Sequence, residues 1–147
     1  RFTRNPNARV YLDGGHPAWK SAEFMIDILA KAGVDEADGF ALNVSSYQTI
    51  EANLAYGRQI SGGIGKKSFI IDTSRNGNGP TADNQWCNPS GRALGQAPTL
   101  RTAVEGVDAL LWIKRPGESD GNCNGGPNAG TWWREMALQL AKNAGIQ

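Results

Sequence analysis

LLWIKRPGESDGNC, residues Leu110 to Cys123, runs from an apolar strand into a charged loop. Leu110 to Ile113 are apolar, and Lys114, Pro116, Gly117, Glu118, Asp120 and Gly121 follow at once. An apolar run this short, bounded by Pro and Gly, reads as a buried strand ending in a turn. The turn then carries an ammonium and two carboxylates. In barrels of alternating strands and helices, residues just past a strand's C-terminal end line the active site. A solvated acidic turn is the plain alternative for GESDG alone. Polar residues after the other strand-like runs argue against it.

Working outward, the N-terminal part repeats the pattern. ARVYL, Ala8 to Leu12, is a short strand ending at Asp13, and Asp13-Gly14-Gly15-His16-Pro17 is a turn. Pro17 suits the first position of a helix. From Trp19 to Ala32, the residues Ala22, Phe24, Met25, Ile28, Leu29 and Ala32 recur at helical spacing, with Gly33 as the stop. GFALNV, Gly39 to Val44, is the second strand and leads into Ser45-Ser46-Tyr47. Thr49 to Ile60 is the second helix, with Ile50, Leu54 and Ala55 inward and Gly62, Gly63 and Gly65 ending it. KSFII, Lys67 to Ile71, is the third strand and ends at Asp72; Ala109 to Ile113 is the fourth. Between them, Thr73 to Gly106 shows little periodicity, and a loop of that length is more often functional than accidental. Thr131 is placed to cap a last helix from Trp132 to Ala144, with Trp133, Met136, Ala137, Leu140 and Ala144 on one face.

The order β-α-β-α-β-loop-β-α, with short apolar strands, makes the fold class α/β with a parallel sheet. Four strands do not close a barrel, which needs about eight. The chain is therefore either a small open sheet or part of a larger barrel.

The 147 residues suffice for one sizeable core, and the net charge of +1 is scattered. Charge therefore points neither to nucleic acid nor to a membrane surface, and no apolar stretch is long enough to span a bilayer. Cys87 and Cys123 form no CxxC pair and have no neighbouring His, which argues against a metal. They are either two buried thiols or a disulfide, which would close a long loop, stabilise the fold by roughly 3–4 kcal/mol, and imply an oxidising compartment. GNGP and NGGPNAG lack the Lys-Ser/Thr of a phosphate loop, and no nucleophile elbow is present.

Each strand leaves polar residues at its end: Asp13 and His16; Asn43, Ser45 and Ser46; Asp72 and Arg75; Lys114, Glu118 and Asp120. Parallel strands bring these to one rim. Trp19 and Trp86 lie in the same class of loop, with Tyr47 nearby. Indole faces beside carboxylates suit a sugar, whose axial C–H groups stack while its hydroxyls need charged or amide partners. Carboxylate pairs are the usual equipment of glycoside hydrolysis. Taken singly, His16 reads as structural, Trp19 as a first core residue of its helix, and Asp72 with Arg75 as a buried ion pair ordering the loop. Trp112, Trp132 and Trp133 read as packing residues.

YLDGGHPAW (Tyr11 to Trp19), NVSSY (Asn43 to Tyr47), IIDTSRNGNGP (Ile70 to Pro80), WCNPSGRALG (Trp86 to Gly95) and WIKRPGESDG (Trp112 to Gly121) resemble, in order and spacing, glycoside hydrolase family 6. These are cellulases that cleave β-1,4-glucan with inversion, on a distorted, partly open TIM-like β/α barrel. The resemblance implies no cofactor or metal and a β-1,4-glucan or cello-oligosaccharide substrate. It makes Asp120 the match to the catalytic base and Asp13 the match to an acidic residue at the cleft floor. It makes Lys114 and Glu118 partners of glucose hydroxyls, and His16, Trp19, Ser46 and Trp86 sugar-binding positions. The family usually has Asn where this chain has Ser46. Cys87 and Cys123 match a disulfide tying the tryptophan loop to the base loop, which fits a secreted protein.

The family's general acid, in an Arg-Asp-Cys motif, and its Glu-Pro-Asp signature belong to the N-terminal half of the barrel and do not occur in this sequence. The expectation is a C-terminal half of a catalytic domain, partnered by the N-terminal half and inactive alone. The short Gly/Asn stretch between Asp120 and Thr131 implies an open cleft and endo action. A non-catalytic glucan-binding protein is the competing expectation. Asn43-Val44-Ser45 is a formal glycosylation sequon whose place in a cleft argues against modification.

Overall fold

Four short strands lie side by side in chain order, every neighbouring pair parallel: β1 (Tyr11–Asp13), β2 (Gly39–Leu42), β3 (Ser68–Asp72) and β4 (Val107–Leu111). The computed structural model describes residues 5–146. Three helices, α1 (Ala22–Lys31), α2 (Ile50–Gly63) and α3 (Arg134–Asn143), and a 3-10 turn at Val34–Glu36 complete it. The expected α/β order holds. Because all strands run the same way, their C-terminal ends share one rim.

Alternation sorts each strand between two faces. Phe40, Leu42, Phe69, Ile71 and Leu110 join Ala22, Met25 and Leu29 of α1 and Tyr56 and Ile60 of α2 in the main core. Phe40 and Phe69 stack with ring centroids 5.2 Å apart. Ala41, Ile70 and Ala109 point the other way, with Tyr11, Val44 and Leu111 around them. The register slips between Phe69 and Ile70, which pair with Val107 and Ala109, so Asp108 bulges out. The Tyr11 hydroxyl donates to Asp108 Oδ2 at 2.7 Å. In a flat sheet β1 and β4 would lie about 14 Å apart, so this contact records a sheet curled like a barrel wall.

Local chemistry moves several expected boundaries. β1 starts at Tyr11, not Ala8, and β4 spans Val107–Leu111 rather than Ala109 to Ile113. Pro17 sits in a turn, not at the head of α1. Ser21 is the cap instead: its extended backbone lets Oγ accept from Phe24 N–H at 3.3 Å. Trp19 thus falls outside the helix and the core. Phe24, Ile28 and Ala32 are exposed, because the buried stripe runs through Ala22, Met25 and Leu29. In α2, Thr49 is the cap and Asn53, Tyr56, Gly57 and Ile60 are buried, while Ala55 faces out. The helix continues through Gly63, where a β-carbon would collide with Ile26 at 2.4 Å. Thr131 caps nothing; Trp133 occupies the cap position of α3 without a side-chain bond. Trp132 precedes the helix, 63% exposed, its indole against Gly117.

No helix or strand interrupts the chain between Asp72 and Val107, yet that loop is ordered by cross-links. Thr73 Oγ1 donates to Gln96 O at 2.7 Å, Gly95 N–H to Thr73 O at 3.0 Å, and Trp112 Nε1 to Gln96 O at 3.0 Å. α3 packs on this loop: Leu94 N–H donates to Leu140 O and Asn143 Nδ2 to Arg92 O. Among the described residues, no helix is long and apolar enough to cross a membrane.

Candidate active site

Asp72, at the end of β3 and 1% exposed, ties three loops together. Its Oδ2 accepts from Ser45 N–H at 3.1 Å and Lys114 N–H at 3.0 Å, and its Oδ1 from Ser74 N–H at 2.9 Å. The expected Asp72–Arg75 ion pair does not form. The Asp72 oxygens are occupied by backbone amides, and the Arg75 side chain crosses to another carboxylate. Asn43 does similar work after β2, donating to Asp72 O at 2.8 Å and accepting from Gln48 N–H at 3.0 Å. Fully buried in that way, Asn43 offers no amide for a glycan.

The carboxylate that Arg75 reaches is Asp120. Asp120 Oδ2 accepts from Arg75 Nη1 at 2.8 Å, Asn88 N–H at 3.0 Å and Tyr47 Oη at 3.2 Å. Oδ1 has only Lys114 Nζ, at 3.5 Å. Arg75 is completely buried, stacks 4.5 Å over the Tyr47 ring and donates to Ser45 O at 2.6 Å. Burial pushes the Asp120 carboxyl up, but the Arg75 guanidinium, the Asn88 N–H and Lys114 together outweigh it and hold the group below its ordinary value. Burial pushes the Tyr47 hydroxyl far up; Arg75, the next largest effect, opposes it, and the Asp120 charge and hydrogen bond add to the rise. Tyr47 therefore remains a donor and Asp120 an anion. Glu118 receives Lys114 Nζ on Oε1 at 3.5 Å and Arg115 on Oε2.

Asp13, His16, Trp19 and Trp86 line a cleft of about 440 Å³, with Gly15, Ala18, Val44 and Asn84. Trp19 and Trp86 are 60% and 70% exposed, so both indoles are open platforms. His16 lies 6.5 Å from the Trp19 ring, with its Nδ1 buried and unpartnered. Burial lowers the His16 pKa more than nearby Asp13 raises it. Asp13 is exposed and accepts from Gly15 N–H at 2.9 Å.

The expected residues thus fall into two groups. Asp13, His16, Trp19 and Trp86 share the cleft; Lys114, Glu118 and Asp120 form the charged cluster. Ser46 belongs to neither: its N–H donates to Asn43 O, and its hydroxyl makes no hydrogen bond. The disulfide Cys87–Cys123 joins the two groups, linking the Trp86 loop to the Asp120 loop. Sequence reasoning gave Asn88 no role, although it stands beside Cys87 inside the Trp86 to Gly95 motif. It also gave Arg75 the wrong partner. Among the described residues, no cluster of His, Cys, Asp and Glu could hold a metal ion.

The family model for Glycosyl hydrolases family 6 matches residues 1–144. The chain belongs to that family. Endoglucanase A of Cellulomonas fimi is 56% identical over 137 residues, which cover 93% of this chain and 30% of the relative. Endoglucanase 1 of Streptomyces halstedii is 47% identical over 148 residues, covering 95% of this chain and 44% of the relative. A solved structure of the endoglucanase Cel6 from Mycobacterium tuberculosis, in complex with methyl-cellobiosyl-4-deoxy-4-thio-β-D-cellobioside, superposes with a TM-score of 0.94 at 53% identity. That superposition covers 97% of this chain and 50% of the solved one. The chain therefore spans less than half the length of these two curated relatives. The curled parallel sheet is part of the distorted TIM-like barrel of family 6, as the fold expectation had it.

Proposed function

We propose that this chain forms the base side of a catalytic cleft that hydrolyses β-1,4-glucosidic bonds of cellulose and related glucans with inversion, acting within the polymer. The observation that carries the reading is the state of Asp120. It is ionised, fixed through Oδ2 by three donors, and has Oδ1 free apart from Lys114 at 3.5 Å. An inverting hydrolase needs a carboxylate that orients and deprotonates water on the face opposite the leaving group. A carboxylate held below its ordinary pKa is a weak base, so Asp120 works by placing water and receiving its proton as the bond breaks. Lys114 and Glu118 bind glucose hydroxyls beside the scissile bond. Trp19 and Trp86 stack sugar rings, His16 contacts their hydroxyls, and Asp13 supplies negative charge at the cleft floor for the developing oxocarbenium.

The general acid is assigned to the N-terminal half of the same barrel, so this chain alone is inactive. The exposed indoles and the absence of any strap across them among the described residues support an open cleft and endo action. The disulfide supports a secreted protein. The test uses the whole catalytic domain on a soluble cellulose derivative. Viscosity is expected to fall well ahead of reducing-end release, and the new reducing ends to appear as the α-anomer. A β-anomer product rules out the inverting role of Asp120, and binding without cleavage identifies a glucan-binding protein instead.

A further inference from the structure

Asn88 is 4% exposed and makes a reciprocal pair with Asp120. Its own N–H donates to Asp120 Oδ2 at 3.0 Å, and its Oδ1 accepts from Asp120 N–H at 2.8 Å. Its Nδ2 is shared among Gly121 O at 2.8 Å, Ser119 Oγ at 3.2 Å and Cys123 O at 3.2 Å. The geometry depends on a left-handed backbone at Asn88, with φ of +46°, which Asn tolerates better than most residues. It also depends on Gly126, where a β-carbon would lie 2.3 Å from Asn88 Nδ2. Arg75 and Tyr47 hold only the carboxylate of Asp120. Asn88 holds the carboxylate and the backbone behind it, so it alone fixes the side chain relative to its own main chain. It also lies two residues from the Trp86 platform, with the disulfide between them.

We propose that Asn88 is a positioning residue for the hydrolysis proposed above, holding Asp120 so that Oδ1 is the oxygen left to act on water and coupling that placement to the sugar platform at Trp86. The inference rests on the reading of Asp120 as the base. Its rival is a loop staple that contributes stability alone.

The whole catalytic domain separates these possibilities. Asn88→Gly keeps the backbone N–H and the left-handed φ and removes only the side-chain amide. The expected result is a fall in kcat of about 10–100-fold, the scale of a roughly 1 Å misplacement of a reacting group. KM for a soluble cello-oligosaccharide and its affinity by tryptophan fluorescence should change by less than about twofold. Gly57→Ala, destabilised in the core away from the site, serves as the stability control, assayed well below both melting temperatures. If Asn88→Gly turns over like that control, or loses affinity with kcat intact, the inference is overturned. If Asn88→Gly does not fold, Gly126→Ala carries the test: its β-carbon displaces the Asn88 amide without adding a charge, so kcat must fall with KM kept; an unchanged kcat overturns the inference. A wild-type domain that cleaves no glucan overturns the functional reading and this inference with it. An active wild type with an indifferent Asn88 overturns the inference alone.

Discussion

Arg75 and Asp120 form an ion pair whose side chains are 0% and 7% exposed. Removing one partner of a buried pair leaves a charge without compensation. Arg75→Met is therefore expected to lower unfolding stability by about 3–5 kcal/mol, read from urea midpoints at neutral pH. The pair also sets a pH dependence. The folded-state pKa of Asp120 lies below its unfolded value, so its contribution is complete above the ordinary carboxylate range, near ~4. It is lost as pH falls through the lower folded value. Urea midpoints of the wild type should drop on acidification below that range, and Asp120→Asn should flatten the drop. An equal slope in both proteins would remove Asp120 from the acid response.

At the level of elements, α2 meets β3 through a missing side chain. A β-carbon at Gly57 would lie 2.5 Å from the Phe69 ring, which is 1% exposed and stacked on Phe40. Helix propensity favours Ala over Gly by about 1 kcal/mol, but overpacking a closed core costs typically ~1–3 kcal/mol, and here the ring has nowhere to go. Gly57→Ala is expected to lower the melting temperature, with a rise showing that the ring relaxes. Cys87→Ser with Cys123→Ser releases a loop and should cost roughly 3–4 kcal/mol, visible as a lower urea midpoint under non-reducing conditions. The four strands, their alternation with helices along the chain and all three helices were legible because apolar runs and periodic stretches bounded by Gly and Pro depend on local chemistry. The head of α1 was not: Pro17 suited a helix start, but it lies in a turn closed by Trp19 N–H on His16 O, and the cap falls at Ser21. Asp120, Trp19 and Trp86 stood out as motif residues, and the structure places Asp120 in the charged cluster and both indoles on the cleft. Their partners were not legible: Arg75 lies three residues from Asp72 and pairs with a carboxylate 45 positions away, a choice made by loop packing. The contacts of Asn88 were not legible, because they join it to Asp120 and Gly121, more than 30 positions away.

For the whole molecule, the sheet has one face closed by α1 and α2 and another formed by Ala41, Ile70 and Ala109 with only strand and loop residues beside them. The Tyr11–Asp108 contact curls that face inward as a barrel interior. We propose that the N-terminal half of the family 6 domain covers it. Expressed alone, the chain should bind a hydrophobic dye and self-associate; with the N-terminal half it should give one particle of summed mass on native mass spectrometry, resolved into two on denaturation. A dye-negative monomer would show that the sheet is complete by itself. The most direct test of Asp120 as the base is Asp120→Asn in the whole catalytic domain, assayed for cello-oligosaccharide hydrolysis and affinity together. The account predicts a fall in kcat of about 10²–10⁴-fold with affinity retained. Hydrolysis at the wild-type rate would contradict it.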